Sequence, residues 1–160
     1  MNAQKTPKTT DLQLVERPAM TVVGMHYRGK PFNTEIPKLW DKFGPIMDSV
    51  PQVVHPAVSY GVCRDMDMQT GEFDYLAAVE VADKAPVPDG MVRWEVAGGL
   101  YAMIPTTIPA IGDAYALSET LIPEAGYRRL AAADYELYDE TFDPANPDSV
   151  LYICFPVEKA

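Results

Sequence analysis

Between Thr34 and Val50 the apolar positions fall at Ile36, Leu39, Trp40, Phe43 and Met47. That is the i, i+3, i+4, i+7 spacing of a helix with one apolar face. Pro37 falls in its first turn, where a missing N–H costs nothing. Ahead of the helix, Leu14–Tyr27 carries "MTVVGMHY", whose β-branched content favours an extended chain. Behind it come two further extended stretches, Val58–Arg64 and Glu72–Val81, joined through "DMDMQTG" with Gly71 as the turn residue. The first half therefore predicts strand, helix, strand, strand.

The same order returns after the linker "ADKAPVPDG". Met91–Ile104 reads as a strand with a bulge or turn at Gly98-Gly99, and Ile108–Leu121 as a helix. Asp134–Phe142 and Val150–Val157 read as strands, with "DPANPD" as the turn between them. Laying one half over the other pairs Glu16 with Glu95 at an offset of 79 and Trp40 with Tyr115 at 75. Tyr60 with Glu136, and Val81 with Val157, both fall at 76. Identities are few, but the order of elements repeats.

The expected fold is α+β: two βαββ units, about 12–82 and 91–158, related by a pseudo-two-fold axis. Their strands form an antiparallel sheet carrying two helices around a central cleft. One helix per unit covers one sheet face, so the units bury their apolar stripes best when paired, and their seam is a natural ligand cleft. Polar residues 1–11 are expected to be a flexible tail ahead of one domain, 12–160.

Composition narrows the function. An apolar share of 48% and a charged share of 22% are those of a chain that buries a real core. No apolar run approaches the roughly 18–20 residues of a membrane span. The opening "MNAQKTPKTTDLQ" has no apolar core of a secretory leader, so a cytoplasmic location is expected. A net charge of −10 repels phosphate, which argues against direct nucleic-acid or anionic-membrane partners. Cys63 and Cys154 stand alone and are expected to be buried free thiols.

Most catalytic signatures are absent. Ser49, Ser59, Ser118 and Ser149 lie in no G-x-S-x-G frame. His26 and His55 lack metal-ligand spacing, and "DMDMQTGEFDYL" fails as a calcium loop because its twelfth place is Leu76. No glycine pattern cradles a nucleotide. Neither a metal nor a cofactor is expected.

What remains is Glu136 in "DYELYD". Strand alternation puts Asp134, Glu136 and Tyr138 on one side, opposite Tyr135 and Leu137. The repeat predicts that Tyr60 approaches Glu136 across the axis, with Trp40 and Tyr115 entering from the helices and Tyr152 from the neighbouring strand. A carboxylate among rings suits a lipophilic cation, each ring contact contributing about 0.5–2 kcal/mol.

The segments "VERPAMTVVGMHYRG", "IPKLWDKFGP", "YGVC", "GEFDYLAAVEV", "IGDAY", "IPEAGY" and "DYELYDETFDPANPDS" together resemble the GyrI-like small-molecule-binding domain. This is the effector module found behind the DNA-binding parts of AraC-type and MerR-type multidrug regulators. The resemblance spans roughly Asp11 to Glu158 and implies a duplicated βαββ fold. It further implies a pocket for bulky aromatic, often cationic, compounds around a glutamate, matched here by Glu136. The implied function is stand-alone multidrug or effector binding, acting in detoxification by sequestration or through a partner regulator. The ligand-binding set would be Glu136, Tyr60, Trp40, Tyr115, Tyr138 and Tyr152. The implied alternative is a hydrolase of cyclopropanoid or similar aromatic electrophiles, with Glu136 and Tyr60 as acid/base groups. A protein partner or a homodimer stays open. Two departures lie near the implied pocket: "TLIP", with Leu121, replaces a tryptophan-bearing "WLP", and "IPTTIP" replaces a His-Thr-Gly-like turn.

Overall fold

A computed structural model describes residues 11–30 and 34–160. The tail expected over 1–11 lies almost wholly outside the described residues. The first half builds β1 (Gln13–Arg17), β2 (Met20–Gly29), α1 (Glu35–Phe43), β3 (Ser59–Arg64) and β4 (Phe73–Val81). The second half builds β5 (Val92–Val96), β6 (Gly99–Thr106), α2 (Ile111–Glu124), β7 (Tyr127–Arg129), β8 (Asp134–Tyr138) and β9 (Leu151–Lys159). The strands form one antiparallel sheet in the order β1-β6-β9-β8-β3-β4-β2-β5, with β7 paired to the end of β9. The fold is α+β, with two helices and a duplicated plan.

Local chemistry moved several boundaries. The stretch expected as one strand over Leu14–Tyr27 is two, parted at Pro18, and Met91–Ile104 is likewise parted at Ala97 and Gly98. Helix α1 stops at Phe43, and Gly44–Ser49 tightens to a 3-10 turn. Pro45 lacks the N–H that would continue an α ladder. Helix α2 begins three residues later than expected and ends at Glu124; Gly126, just past its cap Ala125, has a φ of +89° that suits a glycine beyond a helix terminus. The short β7 carried no strand signal, because three residues are too few for a period to show.

Chain length dictates the sheet's curvature. Only Pro18 and Ala19 separate β1 from β2, a gap of about 11 Å at full stretch. Yet these strands occupy the first and seventh places in the sheet, which would lie about 29 Å apart if it were flat. Strands β5 and β6 repeat the situation across Ala97-Gly98. The sheet must curl until its ends meet, and each half donates its leading strand to the other. The two links cross where Gly98 lies against Pro18 and Ala19, so closely that a Cβ on Gly98 would strike their backbone.

Curling creates two unlike faces. The inner face packs Val22, Tyr60, Val62, Leu76, Trp94, Tyr101, Tyr135, Leu137 and Cys154 into one core. Among the described residues no helix side chain joins this core; the curled sheet closes over it. The outer face carries α1 over Val23, Tyr75, Ala77 and Val79, and α2 over Ala102, Ile104, Ile153 and Phe155. Trp40 packs against both outer clusters and so bridges the helices' two territories.

Ladder registers refine the repeat. Strands β2 and β6 correspond at an offset of 79, and β4 and β9 at 76, since Thr21↔Val81 then maps to the β6–β9 ladder. Tyr60↔Ala78 maps onto Tyr135↔Cys154 only if β3 and β8 correspond at 75. Tyr60 is therefore the counterpart of Tyr135, and Glu136 the counterpart of Gly61. The offset of 76 for this strand pair was one residue too long.

Candidate functional site

One residue of register reverses a strand's faces. On β8, Glu136 and Tyr138 face the helices while Tyr135 and Leu137 enter the inner core. Gly61 lies directly opposite Glu136 in the β3–β8 ladder, at the pseudo-axis. A Cβ on Gly61 would collide with the Tyr75 hydroxyl and the Glu136 carboxylate. Glycine there opens the space that the carboxylate fills.

Glu136 is only 8% exposed. The Tyr75 hydroxyl donates to its Oε1 at 2.7 Å, and the Tyr138 hydroxyl donates to the same oxygen at 2.8 Å. The Trp40 indole N–H donates to the Tyr75 oxygen at 2.8 Å, so a chain of hydrogen bonds runs from helix α1 to the carboxylate. Rings close the surroundings. Trp40 meets Tyr138 edge-on with centroids 5.4 Å apart, and Phe142 meets Tyr138 at 4.8 Å. Both hydroxyls converge on Oε1, leaving Oε2 clear of them.

Burial pushes the Glu136 carboxyl up to about 7. The two tyrosine donors pull it down and the Asp134 charge pushes it up. Burial, reinforced by Glu136, lifts Tyr75 and Tyr138 well above the ordinary phenol value, so both stay protonated donors. Next along β8, Asp134 is raised to about 6 by burial, opposed by Arg129, whose Nη2 donates to Oδ2 at 2.6 Å. Cys63 sits opposite Asp134 in the ladder, and its Sγ is 3.9 Å from the Tyr115 hydroxyl. Burial, Asp134 and Glu136 all raise the Cys63 thiol, which leaves it protonated and unreactive.

Of the six residues singled out in the sequence, the structure brings Glu136, Trp40 and Tyr138 into direct contact and sets Tyr115 nearby on the same face. It does not bring Tyr60 or Tyr152 there. Tyr60 pairs with Leu137, points into the inner core and stacks on Tyr135 at 5.7 Å. Tyr152, opposite Leu137 on β9, packs on that inner cluster too. Tyr75 was missed. The alternation of "FDYLAAVEV" aligns Phe73 with Tyr75, but only the ladder reveals which face meets Glu136. Among the described residues, no three His, Cys, Asp or Glu side chains converge as a metal site. No helix among them is long and apolar enough to cross a membrane.

The duplicated sheet with its two helices is the fold of effector-binding domains. Residues 13–157 match the Cass2 model, the integron-associated effector binding protein family, and the chain belongs to this GyrI-like family. It is 38% identical over 149 residues to the transcriptional regulator BrlR of Pseudomonas aeruginosa. That match covers 91% of this chain and 54% of BrlR, so the chain spans about half of that regulator's length. Two solved structures share the fold at low identity. The EcmrR C-terminal domain superposes with a TM-score of 0.73 at 18% identity, over 94% of this chain and 98% of that one. SAV2435, solved bound to tetraphenylphosphonium, superposes at 0.72 and 16% identity, over 92% and 94%.

Proposed function

We propose that the space around Glu136 binds bulky aromatic cations, with Glu136 as counter-ion and Trp40, Tyr75 and Tyr138 as ring walls. The carrying observation is a buried carboxylate whose partners are two hydroxyls rather than a cation. A buried carboxylate without a countercharge is costly and is pushed toward its neutral form. A lipophilic cation reverses that: it brings the charge, while its rings replace water by contacts with aromatic faces. The tetraphenylphosphonium bound to SAV2435 on the same fold supports this ligand class. Trp40 donates to Tyr75, the carboxylate's own donor, so a ligand drawing on Glu136 would also meet the Trp40 ring. Binding of this kind serves sequestration as well as signalling through a separate regulator.

Titration calorimetry with tetraphenylphosphonium and with neutral triphenylphosphine oxide, on the wild type and Glu136→Gln, tests the reading. The cation should lose about 1–3 kcal/mol of affinity in the variant, the scale of a charge-assisted contact, while the neutral compound binds as before. Equal losses for both compounds would sink the counter-ion role. An aromatic cyclopropanoid electrophile assayed beside them should not turn over. Turnover that drops about 10²–10⁴-fold in Glu136→Gln would replace the binding reading with hydrolysis, Glu136 then acting as base.

A further inference from the structure

Two carboxylates, not one, face the helices from β8. Asp134 and Glu136 are alternate residues of the strand, which sets them about 7 Å apart on one face. Asp134 is 8% exposed, so both are buried. Arg129 engages only one Asp134 oxygen, Oδ2. The other, Oδ1, is buried without a hydrogen-bond partner among the described residues; only the Cys63 thiol, a weak donor, adjoins the carboxyl. A buried acceptor left unpaired costs stability, and native chains rarely keep one without a use.

The surroundings suit a ligand that reaches both acids. Opposite the pair on β3 stand Gly61 and Cys63, two small residues, so no bulky side chain rises between the carboxylates from that strand. The Arg129 guanidinium is held to one side, stacked over Phe155 with its carbon 4.4 Å from the ring centre. It satisfies one edge of Asp134 and leaves the edge bearing Oδ1.

We propose that the site prefers aromatic ligands carrying two positive groups about 7 Å apart, one held by Glu136 and the second by the free Oδ1 of Asp134. This rests on the reading of Glu136 as counter-ion. Arg129 already balances the Asp134 charge, so a monocation at Glu136 leaves only the Asp134 Oδ1 unpaired, whereas the second positive group of a dication supplies that oxygen with a partner.

Ethidium and propidium provide the comparison, since they share a ring system and differ by a quaternary ammonium on a short arm. Binding is measured by fluorescence titration in about 0.5 M salt, where the general pull of an acidic surface is screened but a buried pair is not. Wild type should bind propidium at least about tenfold more tightly than ethidium, the effect of one added charge-assisted contact. Asp134→Asn should abolish that preference while leaving ethidium within about twofold, and Glu136→Gln should weaken both. A preference that survives Asp134→Asn, or an equal loss of both dyes, overturns the proposal. Should Asp134→Asn fail to fold, Arg129→Gln substitutes: freeing the second Asp134 oxygen should increase the propidium preference, and an unchanged or smaller one is fatal. If ethidium binding depends on Glu136 but propidium gains nothing, the second site falls and the counter-ion reading stands. If neither dye depends on Glu136, the counter-ion reading itself falls.

Discussion

Both faces of β8 are buried and both carry tyrosines, yet their charged groups differ. On the inner face the ion is Arg17, whose Nε donates to the hydroxyl of Tyr135 at 2.9 Å, and Tyr135 in turn packs against the Tyr60 and Tyr101 rings. On the outer face the ion is Glu136, held by Tyr75 and Tyr138. A guanidinium keeps its charge throughout the physiological range, so the inner face has one electrostatic state. The carboxylate, raised to about 7, sits at the boundary between neutral acid and anion. Burial and rings alone therefore do not mark a binding site. What separates the two faces is a buried group whose charge is unsettled, and the proposed cation site rests on it.

The sharpest way to break the contrast is to fill the space opposite Glu136. Gly61→Val drives a branched side chain into the Tyr75 hydroxyl and the carboxylate, with no room to retreat in the ladder. It should destabilise the fold by about 3 kcal/mol, as overpacking a buried site does, and abolish cation binding. Urea denaturation measures the first effect. Wild-type stability in Gly61→Val would mean that the outer face is far looser than its hydrogen bonds imply.

The unsettled charge should also be visible in stability. Glu136 is raised from its ordinary 4.5 to about 7 on folding, so folding favours its protonated form. That advantage is complete below about 4.5 and is lost as pH rises through about 7. Glu136→Gln cannot ionise and should escape the loss, becoming more stable than wild type by about 1–3 kcal/mol at pH 8 while differing little at pH 4.5. Thermal unfolding at both pH values decides it.

Ligand binding should carry the opposite pH dependence. A cation needs the ionised carboxylate, so its affinity should rise with pH and level off above about 7. Between pH 8 and pH 6 the dissociation constant for tetraphenylphosphonium should weaken about tenfold, or about 1.4 kcal/mol, with a neutral analogue flat. A cation affinity that ignores pH across this range removes Glu136 from the ligand's electrostatics.

The smallest effects belong to the inner face. Tyr60→Phe and Tyr152→Phe should change cation affinity by less than about 0.5 kcal/mol, because neither side chain lies on the Glu136 face. Tyr75→Phe should reduce it measurably at neutral pH, since losing that donor pushes the carboxyl further toward its neutral form. If the inner tyrosines prove more sensitive than Tyr75, the assignment of the two faces is reversed.

Much of this was legible in the residues themselves. The period of the Thr34–Val50 stretch announced α1, the recurrence of element types announced the duplication, and strand alternation put Glu136 beside Tyr138 and away from Tyr135. The helix and the strand alternation are local facts, written within a few residues, and the 3.6- and 2-residue periods preserve them in any context. The crossing of the leading strands was not legible, because Pro18 and Gly98 mark a break without saying where the chain goes next. Nor was the true counterpart of Glu136. Offsets of 75, 76 and 79 coexist in one repeat, and a slip of one residue exchanges Gly61 for Tyr60 and turns the ring away. Tyr75 illustrates the same limit: it is 61 residues from Glu136, and nothing short of the assembled sheet aims its hydroxyl at that carboxylate. The sequence by itself determined the two helices, the repeat and the presence of a carboxylate among rings. Pairing across the ladder, a long-range choice made by packing, decided which rings those are.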